Sequence, residues 1–330
     1  MFSYRHAFHA GNHADVLKHT ILVQILHHLR QKDKPFWYFD THAGAGRYAL
    51  EGAWARKTQE AGTGIQRLWH ADSVPDAVAS YLEQVRLCNP NGQLKVYPGS
   101  PWIAWQMLGE RDRLRLFEWH VNEVGNLHEA LRAQPRPVAR RTMVYAADGF
   151  EGLKALLPPP PRRGVVLIDP AYEDKNDYRR VMQTVKEGLE RFASGTYAIW
   201  YPLIQRREAQ QLPEKLARLP GTEWLHATLL VGNPQLQGIG LHGSGMFVIN
   251  PPYTLRASLQ QALPWLAHTL GGENGQFRLQ TSNATRRDAR HPPLHAAGPR
   301  PLAAGARPTG PATTSRAAAP RPPRRPARPS

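Results

Sequence analysis

Four short strand-like runs in this 330-residue chain each stop at an acid. Phe36-Trp37-Tyr38-Phe39 runs into Asp40, and Leu114-Arg115-Leu116-Phe117 into Glu118. The run from Arg141 to Ala146 is followed by Asp148, and Gly164-Val165-Val166-Leu167-Ile168 ends at Asp169. Apolar runs of this length, bounded by Gly, Pro and acids, read as strands, and the last as one buried on both faces. Helical stretches separate them, which implies a parallel, doubly wound α/β sheet. Such sheets bind ligands just outside the carboxyl ends of their strands. A single acid there is an ordinary loop residue or helix cap. Four in succession point to a binding site.

The rest of the chain fills in this frame. Residues 1–13 are aromatic, His-rich and irregular. A helix is expected from Asp15 to Arg30, with Leu17, Ile21, Ile25 and Leu29 on one stripe and Asn12 as its N-cap. Residues 49–97 are polar with weak periodicity and read as a small helical insertion. Within it, Ser73-Val74-Pro75-Asp76 resembles a capping box. Ser100-Pro101 predicts a further N-cap and first turn. Helices are expected over 120–133, 150–157 and 178–192. Strands over 196–201, 224–231 and 246–249 close the sheet, the last two as a candidate antiparallel pair. The predicted organisation is thus 1–48 for the arm, first helix and start of the main domain, 49–97 for the insertion, 98–272 for the rest of that domain, and 273–330 for a tail.

Charge is unevenly spread. Eleven Arg against one acid, Asp288, between Arg278 and Ser330 account for +10 of the net +16. Eleven Pro fall in the last 50 residues, a composition that cannot bury enough apolar surface to order itself. The basic balance favours an anionic partner, nucleic acid first. Cys88 is the only cysteine, which leaves no disulfide framework and no CxxC zinc site and fits a reducing cytoplasm. No stretch approaches 18 apolar residues, so a membrane span is not expected.

The strand ends carry the chemistry. Asp40-Thr41-His42-Ala43-Gly44-Ala45-Gly46 has two glycines that allow a tight turn and close approach to a ligand. The third Gly of a dinucleotide fingerprint is replaced by Tyr-Ala-Leu, which favours an S-adenosylmethionine loop over a nicotinamide one. Glu118 suits ribose hydroxyls, and Asp148 an adenine amino group or a helix cap. Asp169-Pro170-Ala171-Tyr172 puts an acceptor beside a flat ring, as a purine with an exocyclic amino group requires. Asn250-Pro251-Pro252-Tyr253 is the better-spelled version of that motif. It follows the final predicted strand, away from the Gly loop, so Asp169 is the favoured residue. His6, His9, His13 and His19 crowd the N-terminus, but no carboxylate or Cys stands at metal-ligand spacing, so no metal is expected. An aromatic and His surface for RNA is the alternative to a solvated arm.

Several of these stretches together resemble the ribosomal RNA large subunit methyltransferase J family. They are Tyr4-Arg5-His6, the run Phe8 to His19, Asp40 to Tyr48, Tyr97-Pro98-Gly99-Ser100-Pro101, Ala147-Asp148-Gly149-Phe150 and Asp169-Pro170. The resemblance covers roughly residues 1–270. It implies a class I S-adenosylmethionine-dependent methyltransferase, Rossmann-like, with a mostly parallel seven-stranded sheet. It implies methylation of N6 of adenine 2030 in 23S rRNA by a cytoplasmic monomer. It implies cofactor contacts from His19, His42, Ser100, Glu118, Asp148, Gly149 and Asp169, with Asp169 catalytic and Tyr4, His6 and Lys18 at the substrate. Ala171 departs from the family, which usually has a second Pro there, so a looser loop is expected.

The expected chemistry is direct, in-line methyl transfer. Asp169 and the Pro170 carbonyl would accept the two N–H bonds of the amino group, and Tyr172 would stack on the base. A DNA adenine methyltransferase would need a target-recognition domain larger than the 49–97 insertion. A basic RNA-binding protein without activity would not need four strand-end acids.

Overall fold

The computed structural model describes residues 9–51, 60–232 and 241–282. The strands are β1 (Trp37–Asp40), β2 (Arg47–Ala49), β3 (Val96–Pro98), β4 (Arg113–Glu118), β5 (Thr142–Ala146), β6 (Gly164–Ile168), β7 (Thr196–Pro202), β8 (Trp224–Leu230), β9 (Gly243–Ile249) and β10 (Gln276–Thr281). Eight of these form one sheet in the order β10-β8-β9-β7-β6-β1-β4-β5. β5, β4, β1, β6 and β7 run parallel. β9, β8 and β10 are each antiparallel to their neighbours. This is the mostly parallel α/β class that the strand–helix alternation implies.

The chain builds outward from β1 to β4 and β5, then returns to lay β6 and β7 on the other side. The crevice at the carboxyl ends of β1 and β6 is therefore the switch point of the sheet. Side chains on β6 alternate between two cores, as a doubly buried strand must. Val165 and Leu167 join the cluster under helices His13–Arg30, Asp76–Leu87 and Leu255–Gly271. Val166 and Ile168 join the one under helices Asn176–Arg191 and Arg207–Ala217.

The helix His13–Arg30 starts at Asn12, whose Oδ1 accepts from Ala14 N at 3.0 Å and Asp15 N at 3.1 Å. Its apolar stripe is buried as expected, but so are Asp15, Lys18 and His19. The insertion is bracketed by the antiparallel pair β2 and β3, and its longest helix is Asp76–Leu87.

Four local expectations are corrected. Ser73 does not cap the helix at Asp76; its φ is +53° and Pro75 stands at the N-cap without a side-chain bond. Gly99, not Ser100, is the N-cap of helix Ser100–Met107, because the Ser100 hydroxyl turns inward to an acid. The seven-stranded sheet gains an eighth strand, β10, in residues assigned to the tail. Those residues read as polar because an edge strand pairs through its backbone and leaves Phe277 and its neighbours exposed. Helices Arg136–Arg141, Arg207–Ala217 and Leu255–Gly271 also lie where no element was expected. The tail from residue 283 lies outside the described residues.

Asn250 ends β9, which lies inside the sheet and runs opposite to β7. Its motif therefore emerges at the end of the sheet away from Asp40 and Asp169. There Asn250 Nδ2 donates to Ala193 O at 2.7 Å and Gly195 O at 2.8 Å, and Tyr253 is exposed. The better-spelled motif is a turn.

Candidate active site

Parallel pairing brings Asp40, Glu118, Asp148 and Asp169 to one edge of the sheet, and the last three line a cavity of about 510 Å³ there. Among the described residues, six carboxylates line it: Glu118, Glu123, Asp148, Asp169, Glu173 and Asp177. Among the described residues, Lys18 and Arg180 are the non-His cations that line it. A protein of net charge +16 has thus gathered acids at one place, which suits a ligand carrying positive charge.

The Gly loop lines the cavity through Thr41, His42, Ala43 and Gly44. Gly44 has φ +61°, and its N–H donates to Glu118 Oε2 at 2.8 Å. Glu118 Oε1 accepts from His120 N at 2.8 Å. Each carboxylate oxygen retains a second acceptor site, and Glu118 lines the cavity. Gly149 packs so closely on the loop that a Cβ would come 2.1 Å from the Thr41 carbonyl oxygen. The third Gly of a dinucleotide fingerprint is not needed here.

Asp40 is fully buried and does not line the cavity. It accepts from Ser100 Oγ at 2.6 Å, Tyr38 Oη at 2.7 Å and His42 N at 3.2 Å. Burial pushes its carboxyl up to about 6, against the pull of these donors. Asp40 therefore ties β1 to the loop and to helix Ser100–Met107. Ser100 lines the cavity with its hydroxyl already donated. His42 lines it too, its ring edge-on to Phe150 at 4.7 Å. Burial lowers the His42 ring to about 3, so it is neutral at pH 7. His19 is completely buried and hydrogen-bonded through Nδ1 to Tyr97 Oη at 2.7 Å.

Asp148 both caps and lines the site. Oδ1 accepts from Phe150 N at 2.9 Å, and Oδ2 pairs with Arg180. The Arg180 guanidinium in turn lies 4.4 Å over the Phe150 ring. Trp119 and Phe150 add flat apolar surface to the wall, and Trp119 is 61% exposed.

Asp169 is bridged to the first helix. Lys18 Nζ lies 2.5 Å from Asp169 Oδ2 and 2.8 Å from Asp15 Oδ1. Burial alone would lower the Lys18 ammonium, but the two carboxylates overcome it and hold the group charged, above its ordinary range. Lys18, expected at the substrate, is thus first the partner of Asp169. Among the described residues no hydrogen bond engages Asp169 Oδ1. Pro170 and Ala171 line the cavity beside it.

Tyr172 is a correction. Its ring was expected to stack on a base, but it is 3% exposed and does not line the cavity. Positive φ (+55°) turns it beneath the loop, 4.5 Å from Tyr178 and 6.0 Å from Trp200. Its hydroxyl donates to Trp200 O at 2.7 Å, and Arg206 Nη1 holds its carbonyl at 2.9 Å. These ties brace the loop that Ala171 was expected to loosen.

Tyr4 and His6 lie outside the described residues. Asp15 and Arg180 went unread in the sequence. The signal for Asp15 was its spacing from Lys18, three residues on the buried side of a helix. Arg180 carried none, since its partner is 32 residues away. Among the described residues no group of three His, Cys, Asp or Glu is arranged to hold a metal ion. No helix among them is long and apolar enough to cross a membrane.

A family model described as ribosomal RNA large subunit methyltransferase D, RlmJ, matches residues 33–282. The chain is 46% identical over 266 residues to ribosomal RNA large subunit methyltransferase J of Escherichia coli K12, covering 81% of this chain and 93% of that one. It is 43% identical over 271 residues to the protein of the same name from Haemophilus influenzae, covering 82% and 94%. The crystal structure of protein LPL1258 from Legionella pneumophila superposes with a TM-score of 0.76 at 34% identity, covering 83% of this chain and 98% of that one. This chain belongs to the ribosomal RNA large subunit methyltransferase J family.

Proposed function

We propose that this protein transfers a methyl group from S-adenosylmethionine to N6 of an adenine in 23S rRNA, the adenine being number 2030, and acts as a cytoplasmic monomer. The observation that carries the reading is Asp169-Pro170 at the rim of a carboxylate-lined cavity, directly beside the Gly loop. The relatives' names support the RNA substrate.

The residues present fit the co-substrate. Glu118 has acceptor sites for two ribose hydroxyls, Trp119 and Phe150 offer walls for its adenine, and His19, His42, Ser100, Asp148 and Gly149 complete the enclosure. The carboxylates suit its sulfonium and ammonium charges. When bound, it supplies an electrophilic methyl group.

The target nitrogen is a poor nucleophile because its lone pair is delocalised into the ring. Asp169 Oδ1 and the Pro170 carbonyl accept its two N–H bonds, which favours a tetrahedral nitrogen with its lone pair exposed. As the nitrogen becomes cationic, Asp169 takes the surplus proton. Lys18 holds Oδ2 and fixes the carboxylate's orientation throughout. Tyr172 stays in place beneath the loop, and Tyr4 and His6 are further candidate contacts to the base. Positioning and charge thus carry most of the work.

The test is Asp169→Asn with an unmodified 23S rRNA transcript and tritiated methyl donor. Transfer falls by about 10²- to 10⁴-fold, while the donor's calorimetric affinity changes by less than about threefold. Near-normal kcat in the variant, or label entering duplex DNA in place of rRNA, overturns the reading.

A further inference from the structure

The helix Asn176–Arg191 has two working faces. Asp177 and Arg180 line the cavity. On another face, Arg179, Met182 and Lys186 follow Lys175 at i+4, i+7 and i+11, which is one helical stripe. That stripe faces the helix Arg207–Ala217 across a second groove, of about 530 Å³. The groove's apolar floor includes Met182, Leu212 and Leu219. Its rim carries Lys175, Arg179, Lys186, Lys215 and Arg218 against one acid, Glu208. Arg218 has Glu214 at 3.9 Å, and no ion pair joins the other four cations to an acid among the described residues.

We propose that this groove holds the sugar–phosphate backbone of the substrate RNA beside the target nucleotide; the inference rests on the reading of the cavity as an RNA adenine site. Two observations lead there. The cavity is lined by six carboxylates and repels phosphates, so a polyanion entering it needs cations placed outside it. The groove supplies them and begins at the cavity's edge, where Lys175 stands between Glu173 and Asp177, both of which line the cavity. Cations strung along two helices suit a chain of phosphates, whereas a compact anion would need donors converging on one point.

The experiment uses the full-length protein with Lys186→Ala/Lys215→Ala and the charge-reversed Lys186→Glu/Lys215→Glu. Both positions are exposed and remote in role from the methyl transfer. Binding to a 23S rRNA transcript is measured across salt concentrations, with single-turnover methyl transfer and donor affinity beside it. Half-saturating RNA rises about tenfold or more in the alanine variant and further in the glutamate variant. Maximal rate and donor affinity stay unchanged. The slope of log K against log salt shrinks by about 1.4, two phosphates at about 0.7 each for a single strand. Wild-type half-saturation and slope in the charge-reversed variant overturn the proposal, as does a fall confined to maximal rate. If the wild type methylates no RNA, the functional reading fails, and the salt slopes still decide the groove.

Discussion

Lys18 Nζ stands 2.5 Å from Asp169 Oδ2, although 151 residues separate them. The contact, completed by Asp15, joins the first helix to the end of β6 and holds one oxygen of the Asp169 carboxylate. Removing one member of a buried charge cluster leaves the others uncompensated. Lys18→Met should therefore lower unfolding free energy by about 3–5 kcal/mol in urea, with methyl transfer falling alongside. A loss below about 1 kcal/mol would show that the cluster is not coupled.

Glu118 should act on donor affinity and leave the chemical step alone. Glu118→Gln removes the charge and turns an amide N–H₂ toward one of two backbone donors, Gly44 N or His120 N. Hydrogen bonds to a charged group contribute about 1.5–3 kcal/mol, so the donor's Kd should rise roughly 10- to 100-fold. Stopped-flow transfer at saturating donor should keep its rate. A lowered rate with normal Kd is the contrary result.

His42 and Asp40 should shape stability against pH in opposite directions. His42 titrates at about 3 when folded and near 6.5 when unfolded. The unfolded chain takes the proton first, so stability is full above about 6.5 and falls on acidification by about 1.4 kcal/mol per unit down to about 3. Asp40 titrates at about 6 when folded and near 3.8 when unfolded. Here the folded chain takes the proton first, so its contribution is full below about 3.8 and is lost as pH rises to about 6. His42→Asn should flatten the acid-side fall, and Asp40→Asn should remove the loss between about 4 and 6. Urea titrations from pH 3.5 to 8 read both slopes, and unchanged slopes would refute the assignments.

Gly149→Ala should damage the site through the backbone. Its Cβ would meet the Thr41 carbonyl, so the loop carrying His42 and Gly44 must shift. Overpacking of this kind costs about 1–3 kcal/mol. Thermal unfolding should register that loss, and calorimetry a weakened donor. Wild-type values in both would mean the loop yields freely.

The sheet was legible because buried parallel strands have a local signature: short branched runs between Gly, Pro and acids. The site was legible as far as chain order implies space, since four strands ending in acids must end together once they pair in parallel. Ser100 fails as a cap because its hydroxyl has a better partner in Asp40, and Ser73 because its backbone turns at positive φ and leaves Pro75 at the helix start. β10 was missed because an edge strand needs only backbone pairing.

The amino-acid order alone determined the fold class and the cavity's edge, because both depend on which residues close a strand. Tertiary structure alone decided what each acid touches. It set Lys18 on Asp169, Arg180 on Asp148 and Asp40 away from the cavity. It also turned the Tyr172 ring under its loop and reversed the strand that carries Asn250. Strand direction and ring orientation are set by packing partners far apart in the chain, and local patterning does not encode them.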